Sequence, residues 1–392
     1  MKYRKDKYGN ELSQLGYGCM RFTSKGTKTD YAKAEREVMR AIEKGVNYFD
    51  TAYMYVGNEE CLWRILAENN VRDKVYIATK LPQFMVKSLK TADRMFKEEL
   101  SRLRTDHIDY YLMHMFTDVS EWERLKSYGM EEWIDSHKAD GSIGQIGFSY
   151  HGDADMFMKV LDAYDWDFCQ VQYNYLDELS QAGRRGVEYA EKKGIPIIVM
   201  EPLRGGKLVN LPVKARQELA VSGKGYTAAE LGLRWLWDQS GVTVVLSGMN
   251  SLEMVDENIR IASDAEPGSL GESDMALVDS IRKIIKEKEK VGCTGCRYCM
   301  PCPGGVDIPG NFHYWNLMYI EGKKNPVRLE FARNVGLQKD AGLASKCMDC
   351  GKCETHCPQS IQIREMLKKA DKDLRPLLYR IVLPVVRKVL SR

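Results

Sequence analysis

The chain has 392 residues, 44% of them apolar, a formal net charge of +3 and a pI near 8.1. That supplies ample core and is too evenly balanced for the clustered basic face of a nucleic-acid binder. No uninterrupted apolar run of about 20 residues occurs, so no membrane-spanning helix is expected, and the charged start Met1–Lys7 lacks the apolar centre of an export leader.

Through residue 262, short apolar runs alternate with amphipathic patterns. The runs Leu15–Met20, Val46–Asp50, Val75–Lys80, Ile108–His114, Gln145–Phe148, Phe168–Gln172, Pro196–Met200 and Val242–Leu246 are predicted strands. Helices are predicted between them. One covers Tyr31–Lys44 and is closed by Gly45. Another covers Ser88–Leu103, with Leu89, Ala92, Phe96, Leu100 and Leu103 on one face. Nearly continuous apolar strands, each followed by a helix, imply a parallel sheet buried on both faces. Eight such units predict an α/β fold of the (β/α)8 barrel type over residues 1–262. A doubly wound open sheet is the alternative, but no G-x-G-x-x-G follows the first strand.

Residues 263–291 read as a linker and connecting helix, with Met275, Val278, Ile281 and Ile285 on one helical face. A small second domain is expected over 292–372. Residues 373–392 form a basic amphipathic tail with five Arg/Lys and no acids from Leu374 onward. Such a segment can lie on a membrane surface, dock on a partner or pack on its own domain.

In a barrel of this kind, chemistry sits where the strands end. Those ends carry Asp50 and Tyr55 after the second strand, Lys80 at the third and His114 at the fourth. Neighbouring parallel strands lie about 5 Å apart, so the side chains can converge. Free tyrosine has a pKa of about 10, too high for an efficient acid near neutrality. An adjacent lysine ammonium favours the phenolate, a carboxylate would hold that lysine, and a histidine can orient a carbonyl oxygen. The set is suited to protonating a carbonyl while hydride arrives at its carbon.

The pattern Asp50-Thr51-Ala52-x-x-Tyr55-x-Gly57-x-Glu59 resembles a signature of the aldo-keto reductases. So do Leu100-x-x-Leu103-x4-Ile108-Asp109-x-Tyr111-Leu112-x-His114, the opening Leu15-Gly16-Tyr17-Gly18-Cys19-Met20-Arg21, and Ile146-Gly147-Phe148-Ser149. The resemblance spans residues 11 to 262 and implies Asp50, Tyr55, Lys80 and His114 as a catalytic tetrad with an extended nicotinamide cofactor. It further implies that Ser149 and Gln170 bond the carboxamide. Met200 stands where an aromatic often stacks on the ring. The loop Pro202-Leu203-Arg204-Gly205-Gly206-Lys207 would meet the pyrophosphate with its backbone N–H groups and the charge of Lys207. Beyond the eighth strand, Gly248, Met249, Asn250, Met254, Glu257 and Asn258 are the expected contacts to the rest of the cofactor. The family's arginine and lysine for a 2′-phosphate are missing at Met254 and near Gly248, and Tyr150 replaces a common asparagine. Either NAD or NADP is therefore expected, with a flavin a further alternative.

Of 11 cysteines, eight form two clusters: Cys293, Cys296, Cys299, Cys302-Pro303 and Cys347, Cys350, Cys353, Cys357-Pro358. The second run has the bacterial ferredoxin spacing, and the first is one residue shorter before its last cysteine. Structural zinc would more usually take two separated C-x-x-C pairs, so two [4Fe–4S] clusters in a mainly α-helical ferredoxin-like domain are expected. Resemblance to two-cluster ferredoxins implies crossed ligation: Cys293, Cys296 and Cys299 with Cys357, and Cys347, Cys350 and Cys353 with Cys302. The clusters would relay electrons or hold the domain together.

The expected function is an oxidoreductase acting on a small carbonyl or alcohol, in a reducing cytoplasm, with a redox partner protein left open. The alternatives are a nucleotide-binding redox sensor or electron-transfer protein, and a flavin-dependent variant.

Overall fold

The structure is a computed structural model and describes residues 1–25, 28–338 and 340–390. Eight parallel strands close on themselves in consecutive order: Leu15–Gly18, Tyr48–Asp50, Tyr76–Leu81, Ile108–Phe116, Ile143–Tyr150, Phe168–Gln172, Ile197–Met200 and Val242–Ser247. Val245 of the last pairs with Leu15 of the first, which removes the open-sheet alternative. Closure leaves no strand edge, and both faces of the sheet are covered, so the runs are apolar almost throughout. The fourth and fifth strands run two residues beyond the apolar runs that announced them, through Phe116 and Tyr150, with a register shift between Met113 and Phe116.

Local signals explain the helices. Asp30 caps the helix Tyr31–Glu43 by accepting from Lys33 N at 3.2 Å. Ser88 caps Leu89–Leu103 through Thr91 N. The buried face of that second helix is Ala92, Met95, Phe96, Glu99 and Leu103, while Leu89 and Leu100 are only half-buried. Glu99 can be buried because Tyr111 Oη and Thr79 Oγ1 donate to it at 2.6 and 3.2 Å. Burial and the neighbouring Glu59 hold its carboxyl well above the usual range.

An antiparallel hairpin, Tyr3–Lys5 with Glu11–Ser13, precedes the barrel. It closes the end at which the strands begin. Leu12 joins the barrel core beside Tyr48, Tyr110, Phe168 and Val244, and Asp6 accepts from Tyr110 Oη at 2.6 Å.

The chain divides into two compact units: Met1–Leu203 with Ala229–Gly271, and Arg204–Ala228 with Glu272–Arg392. The long segment after the seventh barrel strand thus folds with the C-terminal unit. Within that unit the connecting helix spans Glu272–Lys288 and buries Val278, Ile281 and Ile285. Helices Ile308–Ile320, Lys324–Phe331 and Ile363–Leu374 follow, and their core includes Phe312, Trp315, Val327, Phe331, Leu367 and Leu374. A last helix runs Leu377–Leu390. No described helix is long and apolar enough to cross a membrane.

Candidate active site and iron–sulfur centre

Lys80 Nζ donates to Asp50 Oδ1 and to the Thr51 carbonyl, each at 2.6 Å. Its ammonium lies 5.3 Å from the centroid of the Tyr55 ring. That ring stands edge-on to His114, with centroids 6.2 Å apart and planes at 86°. Lys80 is 1% exposed and His114 2%, whereas Tyr55 is half-buried. The four strand-end residues are thus brought to one place, and the tyrosine is the one nearest solvent.

The turn carrying Tyr55 is tied down from several sides. Asn58 Nδ2 donates to the Cys19 carbonyl at 2.9 Å, Tyr53 Oη to Glu98 at 2.8 Å, and Arg102 Nη1 to both the Tyr53 carbonyl and Glu59. Burial, followed by the charges of Lys80 and His151, drives the His114 pKa well below its ordinary value. The imidazole is therefore neutral, and its Nδ1 has no hydrogen-bond partner among the described residues. A neutral ring can donate from one nitrogen to a carbonyl oxygen without carrying charge into the site.

The expected nicotinamide contacts fare differently from one another. Gln170 sits in the middle of the sixth strand, where its Nε2 donates to the second oxygen of Asp50 at 2.9 Å. Ser149 Oγ accepts from Met115 N at 2.8 Å. Met200 is half-buried and packs against the barrel core, and Pro202 is buried. Leu203 lies against Gly232. Gly205 and Gly206 are exposed and left-handed, at φ 65° and 90°. Arg204 pairs with Glu289 and Lys207 Nζ donates to the Cys293 carbonyl, so both side chains are engaged within the C-terminal unit.

After the eighth strand, Gly248 is exposed, and a Cβ there would overlap Arg21 Cγ. Met249 is buried and its carbonyl accepts from Tyr17 Oη at 2.6 Å, while Asn250 is half-buried. Asn258 is buried and donates to Ser247 Oγ at 2.9 Å, tying helix to strand. Met254 is 47% exposed and Glu257 half-buried. Arg21 received no role from the sequence. It is a cation beside the Gly248 loop, and only the fold, which pairs the first strand with the eighth, could show it.

In the C-terminal unit, one cavity is lined by Cys293, Cys296, Cys299 and Cys357, with Ile308, Pro309 and Phe312. A second is lined by Cys302, Cys347, Cys350 and Cys353, with Ile308 and Leu367. Burial, then the neighbouring thiols Cys293, Cys296 and Cys357, pushes the Cys299 thiol up to about 12, and burial, then Glu354 and the thiols Cys347 and Cys302, pushes Cys353 up. Among the described residues no three His, Cys, Asp or Glu side chains close on one point as ligands of a single ion would. Four thiols around an apolar-walled space fit a cluster better than a lone zinc.

A family model described as "Aldo/keto reductase family" matches residues 14–283. The chain belongs to that family. A second model, "4Fe-4S dicluster domain", matches residues 292–361. Among curated relatives, an aldo-keto reductase of Mycolicibacterium smegmatis is 30% identical over 259 residues, 64% of this chain and 82% of the relative. The L-galactose dehydrogenase of Arabidopsis thaliana is 24% identical, covering 71% and 93%. Among solved structures, a Klebsiella pneumoniae aldo/keto reductase in complex with NADP and acetate aligns with a TM-score of 0.58 at 22% identity. The alignment covers 72% of this chain and 95% of that one. The barrel of this aldo-keto reductase is accordingly the family fold, followed by a dicluster domain.

Proposed function

We propose that this aldo-keto reductase moves hydride between a nicotinamide dinucleotide and a small carbonyl or alcohol, with Tyr55 as the proton donor. The observation that carries the reading is the buried Lys80 ammonium, held by Asp50 and the Thr51 carbonyl 5.3 Å from the Tyr55 ring. A cation there stabilises the phenolate left after the proton departs. His114, neutral and opposite Tyr55, donates to the same carbonyl oxygen and orients it. Asp50 keeps Lys80 in place and is itself fixed by Gln170.

The nicotinamide group, when bound, supplies the hydride. Ser149 and Gln170 on the fifth and sixth strands, and the Gly248 loop that a side chain would fill, are the groups in the barrel that would hold it. The NADP bound to the Klebsiella relative favours this cofactor class, with Arg21 a cation available to a phosphate. Tyr55→Phe tests the assignment. Carbonyl reduction should fall about 10²–10⁴-fold, the range of a lost general acid, with cofactor affinity kept. Unchanged turnover would refute it.

The dicluster domain is proposed to hold two [4Fe–4S] clusters with crossed ligation and to relay electrons, in a reducing cytoplasmic setting. The visible spectrum of protein purified without oxygen tests cluster content directly. The helix Leu377–Leu390 leaves Leu377, Leu378 and Ile381 exposed at 75%, 67% and 61%; the sequence from Leu374 onward carries five Arg/Lys and no acids, of which Arg375 and Arg380 pair with Asp371. This supports peripheral contact with an anionic membrane surface.

A further inference from the structure

The loop after the seventh barrel strand carries two cations, and each reaches a group of the C-terminal unit. Arg204 is 4% exposed and its Nη1 lies 2.7 Å from Glu289 Oε1. Lys207 Nζ donates to the carbonyl of Cys293, the first cysteine of the first cluster set. A Cβ at Gly292 would come 3.5 Å from Arg204 Nη2, and one at Gly295 4.0 Å from Lys207 Nζ, so the loop lies along the lead-in to Cys293 and Cys296.

That lead-in is fixed from its other side. Asn316 Oδ1 accepts from Lys290 N and Val291 N at 2.9 and 3.1 Å, and its Nδ2 donates to the Val291 carbonyl at 2.7 Å. The backbone needed to reach this arrangement is costly. Glu201, Arg204, Gly205 and Gly206 all have positive φ, 53° at both non-glycine positions. A non-glycine residue in that region is penalised by roughly 1 kcal/mol, so the conformation of Arg204 is held by what its side chain reaches.

The second cluster set has cations of its own. Arg364 lines its cavity but is paired with Glu354 at 2.9 Å and Asp349 at 3.5 Å, and Lys368 with Asp349 at 3.3 Å.

We propose that Arg204 and Lys207 are tuning residues of the first cluster, raising its reduction potential while leaving the second unaffected. An added electron brings negative charge among the thiolates of Cys293, Cys296, Cys299 and Cys357. Nearby cations stabilise that state, the more so where burial weakens solvent screening, and local charge and hydrogen bonding are established determinants of cluster potential. The inference rests on the two-cluster reading of the C-terminal unit, and the experiment separates the two.

The test is an EPR-monitored redox titration of the full chain, with iron and sulfide counts establishing cluster content independently. Cys296→Ala and Cys350→Ala identify which signal belongs to which cluster. In Lys207→Met, the reduced-to-oxidised ratio of the first cluster at the wild-type midpoint should fall about tenfold, equivalent to 59 mV for one electron. The second signal should stay in place. Glu289→Gln removes the counter-charge of Arg204 and should move the same ratio upward. Unchanged midpoints in Lys207→Met, or equal displacement of both signals, overturn the proposal. If Lys207→Met loses the first cluster, Glu289→Gln decides alone, and a fall or no change in its ratio overturns the proposal.

Discussion

Asp50→Asn isolates the charge at the centre of the site, because the two side chains have the same shape. In the native barrel the Lys80 ammonium, 1% exposed, has one carboxylate at 2.6 Å and one backbone carbonyl at 2.6 Å. Removing one partner of a buried ion pair costs about 3–5 kcal/mol, because the other charge stays desolvated. The Thr51 carbonyl remains, which favours the lower end. The asparagine has a single oxygen to offer both Lys80 and Gln170, so one of those donors then faces an NH₂ group. The expected loss is therefore about 3 kcal/mol, or about 6–12 °C in Tm for a unit of this size. Urea unfolding followed by tryptophan fluorescence reads mainly the barrel unit, since Trp315 is the one tryptophan outside it. Lys80→Met should be costly for the mirror reason, a stranded buried carboxylate. The double variant should recover much of either loss. A single Asp50→Asn variant within about 0.5 kcal/mol of wild type, the range of an ordinary surface change, would refute the account of Lys80 as a charge held by Asp50.

Acid should weaken the barrel in a defined window. Burial lowers the His151 pKa to about 4, so below pH 6.5 the unfolded chain takes a proton that the folded chain refuses. Stability is full above that pH and falls as pH drops toward 4, by roughly 3 kcal/mol from this residue, with His114 acting in the same direction. His151→Gln should flatten the Tm–pH slope across that interval, and an unaltered slope counts against the assignment. Crossed ligation predicts that Cys357→Ala removes the cluster of Cys293, Cys296 and Cys299 and halves the iron, while Cys302→Ala removes the other. EPR of the two variants would show the reverse if each run held its own cluster. Ile381→Glu on the exposed face of the last helix should abolish sedimentation with vesicles containing anionic lipid, and equal binding by variant and wild type would exclude that surface.

Much of the site is legible in sequence because its determinants are local. A barrel strand needs an apolar run, and a functional side chain at its end follows that run directly. This is why Asp50, Lys80 and His114 could be found, and Tyr55 is only five residues from Asp50. Cluster ligands are equally local, since three cysteines at fixed spacing must wrap one object, which is why both runs stand out. Glu99 illustrates the opposite case. It shares the buried helix face with Phe96 and Leu103, and a carboxyl is tolerated there because Thr79 and Tyr111 reach it from two barrel strands.

Other features depended on contacts between residues far apart in the chain. The hairpin at residues 3–13 becomes a barrel stopper through distant contacts, Leu12 with the barrel core and Tyr110, more than 100 positions away, with Asp6. Gln170 bonds Asp50 across 120 positions, so its hold on that carboxylate has no local signal. Most consequential is the segment Arg204–Ala228. Its glycine pair and lysine suggest a phosphate loop, and nothing in its own composition names a partner. Only the tertiary structure brings Arg204 to Glu289 and Lys207 to the Cys293 carbonyl, because the energy of a buried cation is set by what surrounds it in space. The spacing of strands and cysteines thus determined the barrel and the dicluster domain. The fold decided which of its charges meet.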